Sequence, residues 1–407
     1  MESNIQRQQT AESLNWTGYI YGGLAHSSHL QYGEEREAMG EASVRRGLQR
    51  MGLRPEDVVG RRVMEVGTGL YGLGFHRLGA VVEHRDVSTR TVQALTAYAR
   101  TRGYGDLKSI RTDLVNDPLP EEHFDLIYLS GIFQHFQNPF RALMNVSHAL
   151  KVGGHLYVDF YRSGRWRWFV ADVLRKIADR SLLYDVLLRF TEMCALGQTR
   201  SFHLRQVEYL IDDLFVEHLN AFHPDDLKED AQGLCFELVK PATSMNLLDT
   251  EDRFDHSLFF PHIFNTLVFR KARKSEGLQA PERTKVGRCQ VNELAGSTGS
   301  YGAVADLTAE FVLAHQAGRF RREEVVSHIV NLSRMARPCL PGDPYMAPGK
   351  QEPAGSVSAV GDEQTMAQRH SLWCTFLANV LNRPNPLKEF ETESLGFELV
   401  RFLPKSS

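Results

Sequence analysis

The spacing of apolar residues along the chain changes period near residue 60. Ahead of that point, GEEREAMGEASVRRGLQRMGL carries Met39, Val44, Leu48 and Met51 three to five residues apart with charges between them, so residues 1–58 read as a helical lead-in with one face packed on a core. From Arg62 onward, short apolar runs alternate with amphipathic stretches. RVMEV (62–66), AVVEHRD (80–86), LKSIRTD (107–113), FDLIYLS (124–130) and HLYVDFY (155–161) read as strands, and LCFELVKP (234–241) and NTLVFRKAR (265–273) as two more. Ser88 is placed to cap a helix between the second and third strands. In NPFRALMNVSHALKVGG the helix after the fourth strand has its cap at Asn138, a proline at its first position and glycines past its end. Strand and helix in this alternation predict an α/β fold with a doubly wound, mostly parallel, seven-stranded sheet.

Three domains follow from the pattern: an N-terminal helical lid (1–58), the α/β domain (59–273) with a helical pocket insertion at 162–215, and a C-terminal helical appendage (274–407). The appendage opens on the polar KSEGLQAPERTKVGRCQ, and a Pro/Gly/Ser-rich flexible insert at 338–363 separates its helical stretches.

Composition narrows the class. Apolar residues at 42% and charged residues at 24% describe an ordinary globular chain, and a net charge of −3 gives no reason to expect a nucleic-acid partner. The five cysteines form no C-x-x-C pair, which suggests neither a metal site nor a disulfide framework and fits a reducing cytoplasm. The first residues lack the apolar core of a signal peptide, and no apolar run is long enough to span a bilayer, so no membrane partner is expected. A homodimer is compatible with all of this.

The candidate chemistry begins at VMEVGTGLYGLGFHRLGA (63–80), where the first strand runs into a loop with glycines at 67, 69 and 72. G-x-G-x-x-G at a strand-to-helix turn serves dinucleotides and S-adenosylmethionine alike. Context separates them: Asp86, nineteen residues after Gly67, ends the second strand where a carboxylate can accept both ribose hydroxyls, and Asp113 ends the third where one can meet an adenine amine. RTDLVNDPLPEEHFDLIYLSGIFQHFQNPFRALMNVSHALKVGGHLYVDFY then closely resembles the class I S-adenosylmethionine-dependent methyltransferases, whose sheet is Rossmann-like. The resemblance covers roughly 61–271.

The resemblance implies S-adenosylmethionine as cofactor. Glu65, Gly67, Thr68 and Gly69, with Gly72 closing the loop, would hold the methionine portion, Asp86 and Val87 the ribose, Asp113 and Leu114 the adenine, and Ser130 the far side of the sulfonium. Tyr71 stands where the commonest pattern has its third glycine, and Val152 where the turn after the fourth helix has proline. The alternative for Asp86 and Asp113 is a turn or helix cap.

His135, in SGIFQHF at the carboxyl end of the fourth strand, is the candidate base, its alternative being a hydrogen-bonded structural histidine. Tyr19, Tyr21, Tyr161, His218 and Asn220 are candidate substrate contacts. The implied activity is methylation of a small, biosynthetic molecule on nitrogen or oxygen. Two rivals stay open: an enzyme that cyclises or eliminates S-adenosylmethionine with release of methylthioadenosine, and a non-catalytic binding protein on the same fold.

Overall fold

The computed structural model of the protein describes residues 32–161, 185, 216–222, 224–239, 264–275, 310, 317–318 and 323. The chain divides into two compact units, one made of Met1–Arg162, Val216–Thr250 and Phe264–Cys289, the other of Ser163–Phe215, Glu251–Ile263 and Gln290–Ser407. Every element named here belongs to the first. The 162–215 insertion, the 338–363 insert and the aromatic cluster at 15–23 lie outside the described residues, as does the 274–407 appendage save for residues 274, 275, 310, 317, 318 and 323.

In chain order the elements are α1 (Glu34–Arg50), a 3-10 turn (Pro55–Val58), β1 (Arg62–Val66), α2 (Leu70–Arg77), β2 (Val81–Asp86), α3 (Thr89–Arg102), β3 (Leu107–Arg111) and β4 (Phe124–Leu129). A second 3-10 turn (Phe133–His135), α4 (Pro139–Ala149), β5 (Leu150–Tyr161), α5 (Pro224–Gly233), β6 (Phe236–Leu238) and β7 (Phe264–Lys271) complete them. The strands form one seven-stranded sheet in the order β3-β2-β1-β4-β5-β7-β6. The first five run parallel, and β7 is antiparallel to both of its neighbours. The order reverses between β1 and β4, and the carboxyl ends of these strands flank the crevice where ligands lie in open parallel sheets.

The predicted caps form. The Ser88 side chain accepts the Thr91 N–H, and the Asn138 side chain accepts the Arg141 N–H at 2.9 Å with Pro139 at the first helical position. Each face of the sheet has its own core: Met64, Leu129, Val158 and Phe160 with α4 on one side, and Val63, Val82, Leu126 and Tyr157 with α1, α2 and α3 on the other. Of the lead-in, α1 packs on this second face, with Val44 and Leu48 wholly buried, which is worth about 1.5 to 3 kcal/mol for each side chain. It also crosses α2 closely, since a Cβ on Gly40 would strike the Leu70 carbonyl oxygen. Glu37 is buried between them, accepting hydrogen bonds from the Tyr98 and Tyr104 hydroxyls and from Arg77.

β5 begins at Leu150, five residues ahead of the expected start. Phe124 pairs with Leu150 and Leu126 with His155, so two steps along β4 match five along β5. The glycines expected just past the α4 terminus form this bulge instead: Gly153 has φ 83°, and a Cβ on Gly154 would lie 2.9 Å from the Lys151 carbonyl. β3 stops at Arg111 because Asp113 turns the chain, its carboxylate accepting the Val115 N–H at 2.9 Å.

Candidate functional site

Five residues in direct register cross the sheet on the face covered by α1, α2 and α3: Ser109, His84, Glu65, Tyr128 and Tyr157. This polar row lies under the glycine loop, with apolar Val63, Val82, Leu107 and Leu126 one step below it in their strands. Tyr128 and Tyr157 stack with ring centroids 4.2 Å apart, and Arg50 from α1 donates to the Tyr157 hydroxyl at 2.8 Å. The side chain of Glu65 is fully buried, and neither oxygen makes a hydrogen bond of normal geometry. Burial, and then the nearby Asp86 charge, pushes its carboxyl up to about 8, an effect the facing Gly69 N–H only partly offsets.

The loop above this row requires its glycines. Gly67 has φ 131° and Gly69 φ 76°, and a Cβ on Gly69 would sit 2.7 Å from Leu95 Cδ2 and 3.2 Å from the Tyr32 hydroxyl. Gly72 lies directly over the buried carboxylate, where a Cβ would come 3.2 Å from Glu65 Oε2. Tyr71 turns away and packs on Tyr128 at 5.1 Å between centroids, so the loop closes with a tyrosine in the slot of the usual third glycine. Two side chains grip the loop backbone. The Tyr32 hydroxyl donates to the Thr68 carbonyl at 2.7 Å, and His84 Nε2 lies 2.7 Å from the Gly67 carbonyl oxygen.

Asp86 stands beside this loop at the end of β2, and its Oδ1 accepts the Ser88 N–H at 2.5 Å. The cap alternative for Asp86 is thus realised at one oxygen, and its charge still reaches both Glu65 and Tyr32. The Val87 carbonyl accepts from Arg111 Nε at 3.2 Å. Asp113 folds its carboxylate onto its own loop, accepting from Val115 N–H and from Asn116 Nδ2 at 2.6 Å. The Leu114 side chain is in the core and its carbonyl is held by Asn145. Ser130 donates to Asp159 Oδ2 at 2.8 Å, and Thr266 donates to Asp159 Oδ1 at 2.5 Å. Burial raises the Asp159 carboxyl above its ordinary value, against the hydrogen bond from Thr266 and the charge of Arg50.

A second cluster forms across the carboxyl ends of β4 and β5. His135, half-buried, has its Nδ1 3.2 Å from the His218 carbonyl and its ring edge-on to Tyr161 with centroids 5.9 Å apart. A carbonyl only accepts, so Nδ1 carries the proton and Nε2 is the basic nitrogen of the neutral ring. Asn220 ties the neighbouring segment down through bonds from Nδ2 to the Gln134 and Phe136 carbonyls at 3.0 and 2.9 Å. His135, Tyr161, His218 and Asn220 are therefore brought together, whereas Tyr19 and Tyr21 lie outside the described residues.

Sequence reasoning missed Tyr32, His84, Ser109 and Asp159. For His84 and Ser109 a signal existed: both share the inward parity of apolar neighbours, Val82 and Leu107, in their strands. Tyr32 precedes its helix with no periodic cue.

The family model described as a methyltransferase domain matches residues 64–158, from β1 into β5. No curated protein matches the chain. Among solved structures it is similar to the YcgJ protein of Bacillus subtilis, with 20% identity and a TM-score of 0.27 over 30% of this chain and 55% of that one. The chain thus spans about half the length of that relative. It is also similar to an S-adenosylmethionine-dependent methyltransferase of Mesorhizobium loti, with 19% identity and a TM-score of 0.34 over 55% of this chain and 95% of that one. A third similarity is to the cyclase SpnF, with 17% identity and a TM-score of 0.35 over 57% and 80%. Residues 64–158, which run from β1 into β5 and include the glycine-cornered loop, thus match a methyltransferase domain and lie in a sheet of order β3-β2-β1-β4-β5-β7-β6.

Proposed function

We propose that the protein methylates a small biosynthetic molecule on nitrogen or oxygen, with S-adenosylmethionine as donor. The observation that carries this reading is the buried Glu65 carboxyl beneath a loop that only glycines can form, with Asp86 beside it. Among the described residues, the one basic side chain within ion-pair range of Glu65 is His84 at 3.9 Å, which is neutral, so a cationic ligand would be the group that draws this carboxyl into its ionised form. A methionine tail with its ammonium fits that environment, and a pyrophosphate does not. When bound, S-adenosylmethionine supplies an electrophilic methyl group on a good leaving group.

The chain's own residues then bind, align and dry the site. In this reading Gly67 and Gly69 admit the close approach of backbone to ligand, Asp86 takes the ribose hydroxyls, and Ser130 follows β4 on the side of the second cluster. Alignment and exclusion of water can contribute several kcal/mol. His135 supports proton removal from the acceptor, because its Nδ1–H is committed to the His218 carbonyl and its Nε2 is basic. Tyr161, His218 and Asn220 frame that side.

The test is incubation of the purified full chain with methyl-labelled S-adenosylmethionine and an extract of its own cells. Label in a small molecule, with one S-adenosylhomocysteine formed per transfer, is the expected result. Label retained in methylthioadenosine would instead establish cyclisation or elimination, and binding without any product would establish a non-catalytic role.

A further inference from the structure

His84 is buried completely between the loop and the sheet. Its Nε2 lies 2.7 Å from the Gly67 carbonyl oxygen and its Nδ1 2.7 Å from Ser109 Oγ. The carbonyl can only accept, so Nε2 bears the hydrogen; in the neutral ring Nδ1 is then bare and accepts from the Ser109 hydroxyl. The carbonyl sets this tautomer, and the Ser109 hydroxyl, able to donate or accept, matches it by donating. Burial pulls the ring's titration down to about 4, so it is uncharged under ordinary conditions, even with the Glu65 carboxyl 3.9 Å away.

We propose that His84 is a positioning residue for the cofactor loop: held as the Nε2–H tautomer, with Ser109 bracing its Nδ1, it fixes the Gly67 carbonyl inward and thereby aims the Thr68 N–H toward the anionic end of the cofactor. The proposal rests on the cofactor reading above. In a trans peptide the C=O of one residue and the N–H of the next point in opposite directions. Holding the Gly67 carbonyl against β2 therefore turns the Thr68 N–H away from it. Gly67, at φ 131°, has a backbone freedom that other residues lack, and without an anchor its following peptide can rotate and present a carbonyl to a ligand carboxylate. The next peptide is fixed independently, by the Tyr32 hydroxyl on the Thr68 carbonyl. Two consecutive carbonyls are thus held by side chains from two different elements, which preorganises the loop.

The experiment combines a ligand-free readout with a binding series. In the ligand-free full chain labelled with nitrogen-15 histidine, the His84 signals, identified by their loss in His84→Gln, are expected to show the Nε2–H tautomer at pH 7 and to keep it at pH 5. By calorimetry with S-adenosylmethionine, His84→Leu should bind roughly 10-fold or more weakly, the size of one lost hydrogen bond to the loop. His84→Gln, whose amide reaches the Nε2 position and donates, should stay within a few-fold of the parent. Ser109→Ala, which removes the brace on Nδ1 and lets the ring shift, should also weaken binding, and it decides the matter even where His84→Leu does not fold. An Nδ1–H ring or an imidazolium at pH 7, or folded His84→Leu and Ser109→Ala proteins that bind as tightly as the parent, would overturn the proposal. A parent that does not bind S-adenosylmethionine overturns the cofactor reading and this inference together; a parent that binds equally with or without the anchor overturns the inference alone.

Discussion

Two histidines stand at the carboxyl edge of the same sheet, and each bonds a backbone carbonyl through a different nitrogen. On the β1–β2 side, His84 offers Nε2–H to the Gly67 carbonyl and meets the Ser109 hydroxyl with Nδ1, so both nitrogens are consumed inside the protein. On the β4–β5 side, His135 commits Nδ1–H to the His218 carbonyl. On the reading proposed above, the first arrangement would hold a backbone and the second would move a proton, a difference set by which nitrogen the carbonyl claims and how deeply the ring is buried.

The sharpest way to break this contrast is to exchange the expected phenotypes. His135→Asn should lower turnover by roughly 100-fold, the usual contribution of a positioned base, with cofactor affinity unchanged. Turnover within a few-fold of the parent, measured at saturating cofactor and acceptor, would return His135 to a structural role and leave the two histidines alike.

A smaller effect tests the loop that His84 grips. Gly69→Ala places a side chain at φ 76° and against Leu95, which is itself fully buried, so a loss of about 1 to 3 kcal/mol in stability is expected by denaturant unfolding. Gly103→Ala is the matched control, because φ is 71° there and a Cβ would meet nothing within 4 Å. Equal losses at both positions would mean that the loop is no tighter than an ordinary helix end.

The smallest expected effect concerns pH. The folded-state value for Glu65, about 8, lies above its ordinary 4.5, so its protonated form stabilises the fold fully below pH 4.5. That contribution is lost as pH rises through the folded value. Ligand-free Glu65→Gln should therefore flatten the decline in melting temperature between pH 5 and pH 9, gaining about 2 to 4 °C at the alkaline end for each kcal/mol recovered. A parallel decline in parent and variant would show that Glu65 is not the group responsible.

Much of the frame was legible because its signals are local. Ser88 and Asn138 cap the helices their sequences announce, and all seven strands fall on the expected runs. The early start of β5 was not, since KVGG reads as a helix exit until its pairing with β4 forces two glycines into a bulge. Glu65, Gly67, Gly69 and Asp86 could be assigned by resemblance, and the fold sets them side by side. His84 and Tyr32 could not, because holding a loop carbonyl depends on contacts across 17 and 36 residues of sequence that no periodicity encodes. For the residues outside the described set, the sequence expectations stand as proposals.

S-adenosylmethionine is proposed to lie against the loop with Asp86 beside its ribose, and titration calorimetry of the parent and Asp86→Ala proteins tests that directly. Saturable binding to the parent, weakened by about 1.5 to 3 kcal/mol in the variant as expected for hydrogen bonds to a charged group, is the predicted result. A parent that shows no saturable binding, or a folded Asp86→Ala protein with unchanged affinity, would contradict it.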